Sequence, residues 1–472
     1  MKKLAMKAPL YLLITCSALP ISLAASIQID SIDHSLEQGI SANPLLQSSA
    51  TATNTAETLV IDTSKKHQTF AGIGAAFSEI GGLALAGLPE AIRDALLTSL
   101  FDPVKGAGFS MCRLPVGSSD FATNAYSYAD TSWDLGMNYF TLDRDEKSII
   151  PEARGAMKKN PELRFFASPW SPPAWMKTTG RMDGGGKTNN LFDLDEIYKA
   201  YSLYFVKYIK GYGTNGITIS RLCPQNEMDA SPGYPGCVMP PPQMTKLVVN
   251  YLAPAFKNEG ISTEIWPGTF RESPKTPWAT ECMKNEPFRK AISGLGIQYY
   301  NGKTIQALAD TYPDLRFMYT EANCCGGKNT AKEAQAHFRE VIGAFLTGCD
   351  TFAYWNMILD ENQSSGWKWK QNSLVTIDRP TSSVRYNPDY QSIYLISRAV
   401  HPGDVRVDAN WSNARNGDLA SQAAAFLKPD GSVVTLIQNA GPNTLNLKLS
   451  IDGKDSQVTV PSHSDNSILI KQ

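Results

Sequence analysis

The sequence predicts an α/β protein: a (β/α)8 barrel of the TIM type joined to a smaller antiparallel β-sandwich domain, built from the C-terminal region and an N-terminal strand. Three observations predict it. Between residues 69 and 398, eight short β-prone runs alternate with stretches long enough for helices, the order a parallel barrel requires. After residue 398 the apolar period drops to two: Leu445, Leu447, Leu449 and Ile451 are separated by polar residues and bounded by the turn signals Pro429-Asp430-Gly431 and Asp452-Gly453. That alternation marks antiparallel strands with one buried face. Residues 399–472 are few for a sandwich, so the strand at 59–68, which opens with Leu59-Val60-Ile61, is expected to complete it.

Taken in order, Lys2, Lys3 and Lys7 precede an apolar run from Leu10 to Leu23 and the small residues Ala24, Ala25 and Ser26. This is the pattern of a secretory signal peptide over residues 1–25, cleaved near Ala24 or Ala25. The run is shorter than the roughly 20 apolar residues a membrane span needs. Thr15 before Cys16 fits a lipoprotein cleavage site poorly, so export to the periplasm or the medium is expected without an anchor. Residues 26–58, rich in Ser, Ala, Thr and Asn, read as a flexible leader. The eight barrel strands are expected at 71–77, 109–116, 164–170, 217–223, 262–267, 294–300, 315–320 and 350–357. The clearest helix is expected at 193–211: Asp193 and Glu196 form a capping-box-like start, Ile197, Tyr201, Phe205 and Tyr208 share a face, and Gly211 is its stop.

The composition, 42% apolar and 19% charged, belongs to a folded protein and excludes a disordered chain or a coiled coil. The formal net charge is −1, and there is no Lys/Arg stripe of the kind a nucleic-acid backbone demands. Seven cysteines remain once Cys16 is removed, an odd number without a CxxC pair. One or two disulfides are therefore compatible with export, with the connectivity open.

In such a barrel the active site lies at the carboxyl ends of the strands. Those ends carry Ser78-Glu79, Arg113, Ser168-Pro169-Trp170, Gln225-Asn226-Glu227, Gln298-Tyr299-Tyr300, Thr320-Glu321 and Tyr354-Trp355-Asn356. Glu227 and Glu321 follow the fourth and seventh strands, far apart in sequence but over one mouth, with aromatic residues on neighbouring ends. Glycoside hydrolysis needs this set: one protonated carboxyl to donate to the leaving oxygen, one carboxylate to attack or to activate water, and aromatic faces for the sugar ring.

The segments Phe70-Ala71-Gly72-Ile73-Gly74-Ala75-Ala76-Phe77, Arg113-Leu114-Pro115, Ala167-Ser168-Pro169-Trp170-Ser171-Pro172-Pro173-Ala174-Trp175-Met176-Lys177, Gln225-Asn226-Glu227 and Tyr319-Thr320-Glu321-Ala322 resemble glycoside hydrolase family 30, most closely its glucosylceramidase (acid β-glucosidase) branch. The resemblance implies that Glu227 is the general acid/base and Glu321 the nucleophile of a retaining mechanism, in which the carboxyl groups stand about 5 to 5.5 Å apart. It further implies that Asn226 binds the sugar 2-hydroxyl, that Trp170, Tyr300 and Trp355 line the sugar pocket, that Arg113 fixes a carboxylate, and that Glu79 takes the place of an Asp holding sugar hydroxyls. The chain differs from that branch at Met228, where Pro is usual, and at Gln298-Tyr299, where His-Trp is usual.

Other signals point elsewhere. Gly211-Tyr212-Gly213-Thr214-Asn215-Gly216 matches GxGxxG but follows a helix and precedes a strand, the reverse of a dinucleotide site. The five histidines miss the strand ends and no GxSxG elbow is present, so neither metal hydrolase nor α/β-hydrolase chemistry is expected, and no cofactor is required. Asp183-Gly184-Gly185-Gly186-Lys187 is expected as a flexible active-site loop, and Tyr234, Val238 and Met239, among Pro235 and the run Pro240-Pro241-Pro242, as a packed loop, with contact to a lipid aglycone the alternative. The expected activity is hydrolysis of a β-glucoside, with glucosylceramide as substrate and transient contact with a lipid surface. The rivals are an endo-acting enzyme on β-1,6-glucan or xylan and a secreted glycan-binding protein without turnover.

Overall fold

The computed structural model describes residues 26–34, 46–48, 57–322, 324, 326–412 and 423–471. The expected signal peptide, with Cys16, lies outside the described residues. The eight barrel strands are Gly72–Ala76, Met111–Pro115, Arg164–Ser168, Ile219–Leu222, Glu264–Ile265, Leu295–Ile297, Phe317–Tyr319 and Cys349–Asn356. They pair in parallel in ring order, the first strand lying against the eighth through Gly72 and Thr351. The fifth is short because Pro267 has no N–H for the ladder. Closure onto the sixth runs through single bonds: Ser293 N–H to Ile265 O at 2.9 Å, Gly296 N–H to Pro267 O at 2.9 Å and Phe270 N–H to Gly296 O at 2.8 Å. Gly268 permits this approach, with φ +110 and a hypothetical Cβ only 2.3 Å from Gly296 O.

Side chains alternate along a strand, so residues two apart share the barrel interior. Met111, Phe166, Cys223, Trp266, Met318 and Ala353 form one buried apolar cluster. Two residues further along the same strands come Arg113, Ser168, Thr320 and Trp355. An apolar floor thus supports a polar layer at the mouth. At the opposite end Arg221 is bound to Asp350 at 2.8 Å.

The long helix after the third strand is Asp195–Thr214, and the expected boundaries change for a local reason. Asp193 does not cap it; its carboxylate accepts from the Tyr198 hydroxyl and from Lys246. Gly211 lies inside the helix against Leu142, where a Cβ would come within 2.6 Å of the leucine. The turn comes at Gly216, with φ +78. The GxGxxG string is therefore the end of a helix.

The second domain is one nine-stranded sheet, in the order Lys454–Val460, Leu445–Ile451, Glu57–Thr69, Val405–Trp411, Ala423–Leu427, Val433–Asn439, Ser464–Lys471, Ser26–Asp33 and Leu46–Ser48. It curls so that strands from both ends share one core, including Ile29, Leu59, Leu449, Val458 and Ile468. This corrects the reading of 26–58 as a flexible leader: Ser26–Asp33 pairs along its length with Ser464–Lys471. His34 then bonds Asp465 at 2.7 Å, and Asp465 also accepts from Ser392 on the last barrel helix, joining the two domains. A further three-stranded sheet, Ile358–Asp360, Val375–Asp378 and Ser383–Tyr386, follows the eighth strand and carries the loop at 361–374. The described cysteines, Cys112, Cys223, Cys237, Cys282, Cys324 and Cys349, are buried and unbridged, and Cys325 lies outside the described residues.

Candidate active site

Arg113, on the second strand, has no exposed surface, so its N–H groups must be satisfied by protein. Nη1 donates to Glu321 Oε2 at 2.6 Å and to Thr320 O at 3.2 Å. Nε and Nη2 donate to Ser168 Oγ, and Nη2 also to Asn226 Oδ1 at 2.8 Å. The guanidinium lies 4.4 Å from the Trp170 ring centroid and 5.5 Å from that of Trp355, and the two indoles stack at 4.9 Å. One cation on the second strand thereby fixes groups from the third, fourth, seventh and eighth strands.

Beyond the fourth strand, Pro224 ends the ladder and Asn226 N–H turns to Pro169 O. Glu227 then takes a left-handed backbone, φ +38, costly for a residue with a Cβ. Thr269 holds this turn, accepting from Glu227 N–H at 3.1 Å and donating to Asn226 Oδ1 at 2.9 Å. Glu227 Oε1 accepts from Gln298 Nε2 at 3.2 Å, and Oε2 lies 3.7 Å from Arg271, whose guanidinium is anchored on Asp229. Thr320 donates to Gln298 Oε1, which aims the amide nitrogen at Glu227.

The two carboxyls are held unlike. Glu321 receives the Tyr299 hydroxyl on Oε1 at 2.7 Å and Arg113 on Oε2, so each oxygen has a strong donor. Burial, and then the neighbouring Glu321, push Glu227 up to about 7. The arrangement therefore offers one carboxyl pushed up to about 7 and a second whose two oxygens each accept a hydrogen bond.

Six of the eight expected site residues come together here: Arg113, Trp170, Asn226, Glu227, Glu321 and Trp355. Two do not. Tyr300 turns away from the mouth, its hydroxyl bonded to Thr347 at 2.9 Å and its ring edge-on to Tyr319. Tyr299 reaches Glu321 instead because its backbone is left-handed, φ +47, which changes the side chain that faces inward. Glu79 is consumed by an ion pair: Arg144 donates to both its oxygens, Nε at 2.5 Å, and Thr123 adds its N–H and hydroxyl.

Asp120, in the loop after the second strand, was not singled out from sequence. It is buried, and its Oδ1 has no protein partner. Burial, then Glu321 and Glu227, hold its carboxyl well above the usual range. Trp355 Nε1 is likewise buried without an acceptor. The available signal was an acid among the small residues Gly117-Ser118-Ser119 directly after Arg113-Leu114-Pro115.

At the rim, Tyr234 packs against Trp369 with centroids 6.4 Å apart, and Trp369 is 39% exposed. Val238 and Met239 are buried, as expected of a packed loop, and of the three residues only Tyr234 reaches the surface. The glycine loop at 183–187 is tied down: Gly184 N–H bonds Pro232 O, and Asp183 accepts from Trp367 Nε1. Buried Lys177 joins the loops after the third and fourth strands, donating to Ser171 Oγ and to the carbonyls of Met182 and Gly236.

Comparison with known proteins places the fold in a family. The chain is 26% identical to the lysosomal acid glucosylceramidase of Mus musculus over 424 residues, 85% of this chain and 81% of that protein. It is 27% identical to the endo-1,6-beta-D-glucanase neg1 of Aspergillus fumigatus over 428 residues, 86% of each. The crystal structure of SrfJ from Salmonella typhimurium superposes with a TM-score of 0.85 at 25% identity, covering 94% of this chain and 99% of that one. Residues 70–387 match the glycosyl hydrolase family 30 TIM-barrel domain and residues 403–468 that family's beta sandwich domain; the carboxyl pair over the barrel mouth thus stands in a chain that belongs to glycoside hydrolase family 30.

Proposed function

We propose that the protein is an exported, retaining β-glucosidase, with glucosylceramide as its leading substrate. Glu321 attacks the anomeric carbon while Glu227 protonates the leaving oxygen. Glu227 then takes a proton from the water that releases glucose from the glycosyl ester. The observation that carries this reading is the inequality of the two carboxyls: burial and Glu321 keep Glu227 near 7, whereas Arg113 and Tyr299 donate to Glu321. Asn226, oriented by Arg113 and Thr269, is placed for the 2-hydroxyl. The unpartnered Asp120 Oδ1 and Trp355 Nε1 supply an acceptor and a donor for further hydroxyls of one sugar, which supports attack at a chain end. Exposed Trp133, Leu135 and Leu194, in the loops after the second and third strands, are an apolar surface suited to a lipid substrate. The Lys-led leader at residues 1–25 supports export.

A second reading, endo-action on β-1,6-glucan, is favoured by the Tyr234–Trp369 pair, because exposed aromatic faces outside the first sugar site suit a second pyranose. Hydrolysis of octyl β-glucoside, fluorescent glucosylceramide and β-1,6-glucan by the purified protein ranks these readings, with Glu321→Gln as control. Proton NMR of the first product is expected to show the β-anomer of glucose. The α-anomer as first product, or undiminished turnover in Glu321→Gln, would overturn the mechanism.

A further inference from the structure

Opposite the catalytic mouth, where the amino ends of the barrel strands meet the sandwich, lies a cavity of about 1000 Å³. Its charged lining comes from both domains: Lys66 and Arg406 from the sandwich, and Arg164, Arg221, Arg316, Asp314 and Asp350 from the barrel. Arg221 and Arg316 are neutralised. Both bind Asp350, at 2.8 and 3.1 Å, and both lie near Glu264. His67, also in the lining, is bound to Asp408 at 2.5 Å.

The other three cations differ. Arg406 is only 8% exposed, and its one hydrogen bond among the described residues is Nε to Gln68 Oε1 at 3.0 Å. Gln68 is itself fixed by donating to Phe345 O and Cys349 O, so this bond holds Arg406 in place. Among the described residues, no carboxylate lies within ion-pair distance of Arg406, Arg164 or Lys66. Burial pushes Arg406 down to about 10, opposed by the charge of Asp408 beyond ion-pair distance. A buried guanidinium normally takes a bidentate anion. Against these three cations stand Asp314, without an ion-pair partner, and Asp408, shared between His67 and the exposed Lys65, leaving a surplus of about one to two positive charges at neutral pH.

We propose that this junction cavity binds a small ligand bearing a dianionic tetrahedral oxyanion, a phosphate or sulfate group, with the Arg406 fork as the central contact and Arg164 and Lys66 neutralising the remaining charge. The site is separate from glycoside hydrolysis and does not rest on the choice of glycan.

The test is calorimetric titration of the full chain with inorganic phosphate, sulfate and glycerol 3-phosphate at constant ionic strength, alongside Arg406→Met and Arg164→Met. Saturable binding weakened at least tenfold in both variants is expected. Phosphate and sulfate binding alike would identify the free oxyanion as ligand. Binding of glycerol 3-phosphate alone would identify an ester. Arg164 is exposed, so its variant reports on the site even where Arg406→Met folds poorly. Octyl β-glucoside hydrolysis without added oxyanion should be unchanged in both variants. No saturable heat with any probe, or equal affinity in wild type and both variants, would overturn the proposal.

Discussion

Replacing Arg271 with Gln is expected to move the alkaline limb of glucosidase activity upward. Glu227 is kept protonated to about 7 by burial and by Glu321, while Arg271, 3.7 Å from its Oε2, opposes them. Coulomb's law at that distance gives about 1 kcal/mol in bulk water and about 4 kcal/mol at an effective dielectric of 20. Arg271 is a third exposed and shares its charge with Asp229, so the lower end applies. About 1.4 kcal/mol is one pKa unit, which carries the limb from about 7 toward about 8. Removing Arg271 also uncovers Asp229, whose charge acts in the same direction.

The assay is kcat/KM against pH for an alkyl β-glucoside, because kcat/KM reports ionisations of the free enzyme and an alkoxide leaves only with a proton. An aryl glucoside with a good leaving group would hide the effect. Asp229→Asn provides the opposite sign: it removes a carboxylate that raises Glu227 and leaves Arg271 to that residue alone, so its limb should fall. An unmoved limb in Arg271→Gln with an unchanged melting temperature, or shifts of the same sign in both variants, would refute Glu227 as the titrating acid.

Three further substitutions test the site. Asp120→Ala should lower kcat/KM about tenfold, as loss of a hydrogen bond does, with little change in Tm; Glu79→Gln should instead cost about 1–3 kcal/mol of stability, since it leaves the part-exposed Arg144 without its carboxylate, and leave KM near wild type. Tyr299→Phe should reduce kcat about tenfold by removing a donor to Glu321, whereas Tyr300→Phe should alter only stability; equal kinetic effects would contradict the geometry. Glu152 is buried with Oε2 unpartnered, and burial pushes it up to about 8. Its unfolded carboxyl ionises near 4.5, so the wild type loses stability as pH rises between those values, by up to a few kcal/mol. Urea titrations should show Glu152→Gln gaining on the wild type through that interval and then running parallel; a pH-independent difference would count against it.

The residues legible in sequence are those whose direction the backbone dictates. Arg113 and Trp355 lie on strands, and Asn226, Glu227 and Glu321 directly follow them, so alternation and the barrel-mouth rule place them together. Tyr299 and Tyr300 were beyond that logic because one left-handed residue decides which ring turns inward. The pairing of Glu79 lies outside that logic because its partner, Arg144, is 65 residues away and nothing local announces the pair. Asp120 lies in a loop whose course is set by packing: Gly366, from the loop after the eighth strand, sits so close to Thr123 O that a Cβ would be 2.1 Å away. Ser26–Asp33 was hidden by its polar content, although Ile27 and Ile29 alternate with Gln28 and Asp30.

The charge balance at the mouth also accounts for one residue serving as both acid and base. Asp120 and Glu227 both lie in the field of Glu321, which is bound to the fully buried Arg113, while the partly exposed Arg271, held by Asp229, flanks Glu227. Burial and mutual repulsion hold Asp120 and Glu227 up at rest, and carboxyl groups so placed suit a transition state with positive charge on the sugar. In the proposed mechanism Glu321 loses its charge on forming the glycosyl ester. The repulsion that helped raise Glu227 then vanishes, and the residue becomes more acidic just after giving up its proton. It stays ionised and ready to deprotonate the incoming water, and hydrolysis of the ester restores both the charge on Glu321 and the affinity of Glu227 for the proton it has taken.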